Sequence, residues 1–333
     1  MNWIIQSPLD MHLHVRQGDM LQAVLPATTG LFAGAVIMPN LVPPVTDLDM
    51  LIAYRDDIMR HTTDPSFQPY MTLFFRDYSA AELEAARPHI IGVKLYPEGV
   101  TTNSEHGVRD ALAYDKVLDA MQALDIPLLV HGETHGFVMD REREYMSVYD
   151  SLARRFPRLC IVMEHISTRD ALPLLDRHEN LFATVTVHHL LLTLDDLAGG
   201  LLQPHLFCKP ILKTPADREA LQAAVLSGHP KLMFGSDSAP HPVDKKESCG
   251  CAAGLFTAPV AIALLAEFFH RHQATDLLQG FLSDHARRIY RLNPPAKKVR
   301  IEQTPWRVPE RYGTVRPYRA GETVPWKASV SAP

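Results

Sequence analysis

The 333-residue sequence has only four cysteines, and no apolar run in it reaches the roughly 18–20 residues that a membrane-spanning helix needs. So few cysteines argue against a disulfide-stabilised scaffold, and Cys249 and Cys251 are too closely spaced for the usual zinc-binding pair. We therefore expect Cys160, Cys208, Cys249 and Cys251 to be reduced thiols without chemical function. The N-terminal segment lacks the residue order of a signal peptide, so the cytoplasm is the expected location.

The sequence also lacks a strong charge of either sign, because its net charge is −5 and its isoelectric point is near 6.4. This balance gives no overall basic surface for nucleic acid or anionic lipid, and we expect neither as a partner. No G-x-G-x-x-G motif follows the first predicted strand, which argues against a dinucleotide-binding sheet. Histidine is abundant at 17 copies, and it is the most common metal ligand in proteins.

Eight short apolar segments alternate with longer amphipathic segments between about residues 7 and 290. Such segments are typical of parallel strands that are buried on both faces. They are Pro8–His14, Gly34–Pro39, Gln68–Phe75, Ile90–Tyr96, Ile126–His131, Leu159–His165, Leu181–Val187 and Leu232–Asp237. Helices are predicted between them at Asp47–Arg60 after an N-cap at Thr46, at Asp110–Leu124 and at Pro215–Leu226. The alternation predicts an α/β fold, a closed (β/α)8 TIM barrel.

The composition changes beyond residue 290. Residues 291–333 are rich in Pro, Arg and Lys and contain Trp306 and Trp326, two of the three tryptophans. We expect an extended C-terminal tail that packs on the outside of the barrel. Residues 1–333 are therefore predicted to form a single domain, with the barrel at about 7–290 and the tail at about 291–333.

The first predicted strand ends in Asp10-Met11-His12-Leu13-His14. Side chains two positions apart on a strand share a face, so His12 and His14 are both expected to point into the barrel. A second His-x-His pair, His270 and His272, falls at the polar end of a predicted helix. There the same spacing makes the side chains diverge, so we interpret that pair as part of a solvated helix end.

Four other predicted strands carry a charged residue or a histidine at or near their ends, namely Lys94, His131, His165 and Asp237. The active sites of TIM barrels lie at the C-terminal ends of the strands, so the fold would gather these residues with His12 and His14. Imidazoles and carboxylates around open coordination positions suit a hydrolytic zinc centre. Desolvation would lower the pKa of Lys94, and carbamylation by CO2 would make it an oxygen ligand that bridges two cations.

These six positions resemble the metal-ligand series of the amidohydrolase superfamily, and longer stretches resemble its dihydroorotase branch, which includes the short bacterial and yeast enzymes. The stretches are Asp10–Arg16, Met38–Asn40, Val93–Pro97, Thr101–Ser104, Gly235–His241 and Glu247–Cys251, and the resemblance runs from about residue 7 to about residue 325. It implies a homodimeric enzyme that reversibly cyclises N-carbamoyl-L-aspartate to (S)-dihydroorotate in pyrimidine biosynthesis.

The resemblance also implies a zinc ligand set and a proton carrier. His12, His14 and Asp237 would bind one zinc ion, and His131 and His165 would bind a second. Lys94, carbamylated to N6-carboxylysine, and a hydroxide would bridge the two ions. Asp237 would carry a proton between this hydroxide and the ring nitrogen of the substrate.

The substrate-binding residues implied by the resemblance form a carboxylate cradle, a mobile loop and contacts to the ring. They are Arg16, Asn40 and His241 in the cradle, Thr101 and Thr102 on the loop, and Lys209 with Ala253, or with Ala252 if the match shifts by one residue. The planar guanidinium of Arg16 suits a carboxylate, although without its neighbours a solvated charge at the rim would be the favoured interpretation.

Two alternatives remain open at this point. A hydantoinase or dihydropyrimidinase would share the metal ligands but would not need the carboxylate cradle, and turnover of hydantoin would identify it. A catalytically inactive barrel that scaffolds another enzyme would be expected to have lost ligands, whereas all six are present.

Overall fold

A computed structural model describes residues 2–62 and 64–331 of the chain. A short N-terminal strand, β1 (Asn2–Gln6), precedes an eight-stranded parallel sheet in which each strand pairs with the next one in the sequence. The eight strands, β2 to β9, are Leu9–Leu13, Gly34–Ile37, Gln68–Phe74, Gly92–Leu95, Leu128–Val130, Ile161–Met163, Leu181–Val185 and Leu232–Phe234. All eight predicted strands are confirmed, and each lies within its predicted bounds.

The sheet closes into a barrel between β2 and β9. The backbone N–H of His14 donates to the carbonyl of Ser238 at 3.1 Å, and the N–H of Asp237 donates to the carbonyl of His12 at 2.9 Å. Apolar side chains fill the lower interior of the barrel, including Leu9, Met11, Val36, Leu129, Val162 and Met233. The predicted TIM barrel is therefore confirmed, and three of the predicted metal ligands lie in or just after its two joining strands.

Helices cover the outside of the barrel, and no helix of residues 2–62 and 64–331 is long and apolar enough to cross a membrane. They are α1 to α12, at Gly18–Thr29, Leu48–His61, Ala80–Ala86, Asp115–Ala123, Arg141–Arg155, Leu172–Arg177, Val187–Leu191, Leu194–Ala198, Pro215–Leu226, Val243–Lys246, Ala261–Arg271 and His285–Ile289. The predicted helix at Pro215–Leu226 is confirmed with the same bounds.

Two details of the helix prediction are wrong. The second helix is capped by Asp47 and not by Thr46, because the carboxylate of Asp47 accepts the N–H of Met50 at 2.8 Å. The predicted single helix from residue 110 to 124 is interrupted. The side chain of Asp110 caps a separate short turn, and Tyr114 has a non-helical backbone that delays the start of α4 to residue 115.

The C-terminal tail lies against the outside of the barrel, as predicted, but much of it is paired strand. Strand β10 (Lys298–Glu302) pairs antiparallel with both β1 and β13 (Lys327–Val330). Strands β11 (Trp306–Arg307) and β12 (Thr323–Val324) form a second small ladder. Buried Trp326 packs on Trp3, with ring centroids 4.7 Å apart. The two ends of the chain therefore share one small sheet.

Candidate metal centre and substrate pocket

An irregularity in β2 contains the first predicted ligand, His12. The pairing of β2 with β3 shifts register between Asp10 and Leu13, and Met11 and His12 both reach the barrel interior. Oδ1 of Asp10 accepts the N–H of His12 at 3.2 Å and the N–H of Ser236 at 2.7 Å. A regular strand would turn adjacent side chains to opposite faces, so the irregular backbone held by Asp10 directs His12 to the mouth.

The first group of predicted ligands is assembled at this mouth. Nε2 of His14 lies 3.2 Å from Oδ1 of Asp237, and Nε2 of His12 lies 3.5 Å from the same oxygen. One ligand atom from each residue lies within 4.8 Å of the other two. Burial holds the pKa of both imidazoles well below the ordinary value, so they are neutral and keep a lone pair for a cation. These three residues lie close enough together to hold a metal ion.

The second group of predicted ligands adjoins the first. Nδ1 of His131 lies 3.2 Å from Nε2 of His165, and the rings of His165 and His12 are 4.8 Å apart. The other ring nitrogen of His131, Nε2, lies 2.7 Å from Oε2 of Glu133. That contact leaves Nδ1 of His131 to face His165, so the two imidazoles present converging nitrogen atoms.

Lys94 is fully buried in strand β5 of the barrel. Its Nζ has no hydrogen-bond partner among the described residues, and it lies 5.2 Å from the centre of the Tyr96 ring. Burial lowers the pKa of the amine to about 8, against the opposing effect of Glu164 and Asp237. An unpaired buried amine with a lowered pKa is more nucleophilic at neutral pH than an ordinary lysine and is suited to reaction with CO2.

Two buried glutamates that the sequence analysis missed contact the predicted ligands. Oε2 of Glu164 lies 2.7 Å from Nδ1 of His12 and accepts the hydroxyl of Thr184 at 2.6 Å. Glu133 makes the corresponding contact to His131. Carboxylates in this position fix the tautomer and the orientation of ligand histidines. Their positions next to predicted ligands, directly before His165 and two residues after His131, are the sequence signal that would have indicated them.

The backbone at the strand ends is unusual at two of the predicted ligands. His165 and Asp237 have φ angles of 41° and 42°, in the left-handed region that non-glycine residues rarely adopt. A side chain at Gly235 would place its Cβ 2.9 Å from the Cβ atoms of both His12 and Thr184. Residues with a left-handed backbone, and backbone positions without room for a side chain, are concentrated at functional sites.

The predicted carboxylate cradle lies at the rim of the same cavity. Nη2 of Arg16 is 3.1 Å from Nε2 of His241, and Nε of Arg16 donates to the carbonyl of Pro240 at 3.1 Å. Burial lowers the pKa of His241 to about 3, so this imidazole is neutral, and its Nε2 lies 2.9 Å from the carbonyl of Ala253. Ala253 lines the cavity with the predicted ligands, whereas Ala252 faces an outer cleft.

The loop between residues 98 and 107 covers the cavity. The side chain of Asn40 donates to the carbonyl of Thr102 at 3.0 Å, and that of Asn103 donates back to the carbonyl of Asn40 at 3.0 Å. Nζ of Lys209 donates to the carbonyl of Val100. All predicted site residues line this single cavity except Lys94, which is buried in β5, and His241, which contacts Arg16 at the rim.

Comparison with known proteins identifies the family of the chain. The profile of the amidohydrolase family matches residues 67–292. The chain is 44% identical over 329 residues to the dihydroorotase of Helicobacter pylori strain P12, covering 96% of each chain. The crystal structure of Campylobacter jejuni dihydroorotase superposes with a TM-score of 0.94 at 48% identity, covering 98% of this chain and 97% of that one.

A second solved structure extends the comparison to a eukaryote. Dihydroorotase from Saccharomyces cerevisiae in complex with 5-fluoroorotic acid superposes with a TM-score of 0.93 at 34% identity, covering 100% of this chain and 99% of that one. The likeness therefore spans the barrel, the covering loop and the C-terminal tail together. From its sequence and its fold, the chain belongs to the dihydroorotase family of amidohydrolases.

Proposed function

We propose that the chain catalyses the reversible cyclisation of N-carbamoyl-L-aspartate to (S)-dihydroorotate in pyrimidine biosynthesis. The observation that carries the proposal is the position of Arg16, which lines the same small cavity as His12, His14, His131, His165 and Asp237. A group able to bind a carboxylate thus adjoins a group able to bind metal ions. The substrate requires both features, because it carries a free carboxylate beside the amide or carboxyl group that reacts.

The donor set fits two divalent metal ions, which we propose to be zinc. His12, His14 and Asp237 would hold one ion, and His131 and His165 the other, with carbamylated Lys94 between them. Imidazole and carboxylate donors suit zinc, and the uncarbamylated Nζ of Lys94 is a buried nitrogen without a hydrogen-bond partner in the described parts of the chain. Carbamylation would add two oxygen atoms at the end of the Lys94 side chain, and these oxygen atoms could bind the two cations.

When bound, such ions supply a nucleophile at neutral pH and polarise the carbonyl group that is attacked. Asp237 would move the proton. In ring closure its carboxylate accepts the proton of the attacking carbamoyl nitrogen, and in ring opening it returns that proton to the departing nitrogen. Burial raises the pKa of Asp237, against the lowering effect of His131 and Lys94, so this carboxylate takes up a proton more readily than an exposed one.

The carboxylate of the substrate would be held by Arg16, Asn40 and His241. The guanidinium of Arg16 presents a planar pair of N–H groups, and its neighbour His241 is neutral, so no charge on that imidazole competes for an anion. The covering loop with Thr101 and Thr102 would exclude water while the ring closes. Its hydrogen bonds to Asn40 make the cradle and the loop one connected unit.

A comparison of two cyclic amides tests this proposal. Dihydroorotate carries a carboxylate on its ring and hydantoin does not. We expect the purified protein to hydrolyse dihydroorotate with a far larger kcat/KM than hydantoin, and Arg16→Gln to remove most of that difference. Faster turnover of hydantoin would overturn the proposal in favour of a hydantoinase. Absence of turnover and of metal, after zinc and bicarbonate are added, would favour an inactive scaffold.

The domain organisation, the oligomeric state and the location of the enzyme are also proposed. We propose that residues 1–333 act as one domain, with the tail as part of it, and that the enzyme is a cytoplasmic homodimer with small-molecule partners only. Light scattering on the purified protein measures the mass of the assembly. A mass of one chain at micromolar concentration would contradict the homodimer.

A further inference from the structure

A second cluster of potential metal ligands lies behind the catalytic cavity. Strand β8 leads through Thr186 into helix α7 (Val187–Leu191), which carries His188 and His189. Cys208 approaches them from a distant loop, and all three side chains are buried. One ligand atom from each of the three lies within 4.8 Å of the other two. None of these residues belongs to the proposed zinc centre.

His188 gives an independent indication that something binds in this cluster. Neither of its ring nitrogens has a hydrogen-bond partner among residues 2–62 and 64–331, although the side chain is completely buried. Buried polar groups in native proteins almost always have a partner, and an exception points to a water or an ion bound at that place. Burial holds the pKa of His188 well below the ordinary value, so the ring is neutral and offers a lone pair.

Cys208 and His189, the other two residues of the cluster, both direct a proton to the carbonyl oxygen of Pro210. Sγ of Cys208 donates to the carbonyl oxygen of Pro210 at 3.2 Å, and Nε2 of His189 lies 3.1 Å from the same oxygen. Sγ and Nε2 are themselves 3.9 Å apart. Two donors that converge on one carbonyl leave a position between them where a cation can replace both protons, with the carbonyl as an additional oxygen ligand.

We infer that His188, His189 and Cys208 form a third metal site, for a thiophilic ion of the zinc type. Two imidazoles and one thiolate are a donor set for such ions, and the carbonyl of Pro210 completes four donors. This inference is independent of the proposed reaction, because it uses none of the six catalytic ligands. The site would tie helix α7 to the loop that carries Lys209, a residue that lines the catalytic cavity.

The protons balance on binding. The thiol of Cys208 loses its proton to solvent and bonds to the metal as a thiolate. The ring proton of His189 moves from Nε2 to Nδ1, where Oγ1 of Thr186, 2.9 Å away, accepts it. His188 binds through a free lone pair and releases nothing. One proton is therefore released for each ion bound.

Cobalt provides a probe that distinguishes this site from the catalytic centre. Co2+ bound to thiolate absorbs in the near ultraviolet by charge transfer, and the six catalytic ligands contain no sulfur. The full-length protein would be stripped with a chelator and titrated with Co2+ in the presence of bicarbonate. We expect a charge-transfer band that saturates at one thiolate-bound ion per chain, and Cys208→Ser should abolish it while leaving the visible bands of the catalytic ions.

Matched variants make the result decisive. Cys251→Ser, which changes a thiol outside the cluster, should keep the band. His188→Gln removes a side chain that makes no hydrogen bond within the described chain, so it should fold normally and weaken the thiolate-bound Co2+ at least tenfold. The inference is overturned if the wild-type protein shows no band at excess Co2+. Retention of the band in Cys208→Ser, its loss in Cys251→Ser or an unchanged affinity in His188→Gln would overturn it equally.

Discussion

Nδ1 of His12 lies 2.7 Å from Oε2 of Glu164, and both side chains are buried within the barrel. The contact fixes the imidazole so that its other nitrogen, Nε2, points towards Asp237. The pair of His131 and Glu133 repeats the arrangement, also at 2.7 Å. One ligand of each proposed zinc ion is thus oriented by a carboxylate that does not itself face the cavity.

Glu164→Gln should therefore weaken metal binding without removing a ligand. The amide keeps a hydrogen-bond acceptor for His12 but loses the charge that makes the imidazole a better donor to a cation. We expect metal affinity to fall on the order of 10–100-fold, measured by competition with a chromogenic chelator. Glu84→Gln, on an exposed helical face, is the control. Equal affinities of the two variants would show that Glu164 does not act on the metal centre.

Lys94 and Lys246 offer a test of carbamylation with a built-in control. Burial lowers the pKa of both amines to about 8. Nζ of Lys246 donates to the carbonyls of Phe207, Ala252 and Gly254, whereas Nζ of Lys94 has no partner in the described part of the chain. Because only a free amine can attack CO2, carbamylation is expected at Lys94 and not at Lys246.

Carbon-13 NMR with labelled bicarbonate measures this difference. The wild-type protein and Lys246→Gln should both show one carbamate signal, and Lys94→Gln should show none and lose both turnover and metal. A carbamate signal that survives in Lys94→Gln would contradict the proposed bridging ligand.

Replacing Arg16 by lysine should separate charge from geometry in the substrate cradle. Lysine keeps the positive charge but loses the planar pair of donors, and a lost charge-assisted hydrogen bond costs roughly 1.5–3 kcal/mol. We expect kcat/KM for dihydroorotate to fall about 10–100-fold at unchanged metal content. Arg60→Lys, on the exposed face of helix α2, should leave both quantities unchanged. A fall in metal content equal to the fall in kcat/KM would instead place Arg16 in the metal site.

The tail contributes to stability through Lys297, whose buried Nζ lies 2.7 Å from Oδ2 of Asp64. Burial alone would raise the pKa of Asp64, but hydrogen bonds from Lys297 and Ser66 lower it from 3.8 to about 2. A lowered folded-state pKa stabilises the protein above the unfolded-state value, and this contribution is lost as the pH falls from about 4 to about 2.

Asp64→Asn should consequently lower the free energy of unfolding by about 1–2 kcal/mol at neutral pH, allowing for partial solvent screening. Urea denaturation over a pH series checks this, and the difference from the wild type should shrink as the solution is acidified towards pH 2. Asp56→Asn, in an exposed ion pair with Arg55, serves as the control. A difference that stays constant with pH would show that the ion pair is not its cause.

The barrel and most of the site could be predicted because they follow from local patterns. Parallel strands buried on both faces are continuous apolar runs, and the residues at their ends must meet at the mouth of a closed barrel. This places Lys94, His131 and Asp237 from sequence alone, and the longer motifs then indicate the family.

The structural features that the sequence did not predict depend on contacts between segments that are distant along the chain. Asp10 shapes β2 by binding the N–H of Ser236, more than two hundred residues away. The side chain of Asp110 caps a short turn before the non-helical backbone of Tyr114, and strand β10 of the tail pairs with β1 from the opposite end of the chain. The cluster of His188 and Cys208 likewise has no local motif, since only the fold brings the two together.

We propose that the dihydroorotase activity of this chain depends on two zinc ions. The most direct test measures metal content and turnover on one sample, with L-dihydroorotate and N-carbamoyl-L-aspartate as substrates, before and after chelation. We predict turnover in both directions with at least two zinc ions per chain, loss of both on chelation, and recovery with zinc and bicarbonate. Full turnover by a protein stripped of metal, or no turnover of either substrate by the zinc-loaded protein, would contradict the account.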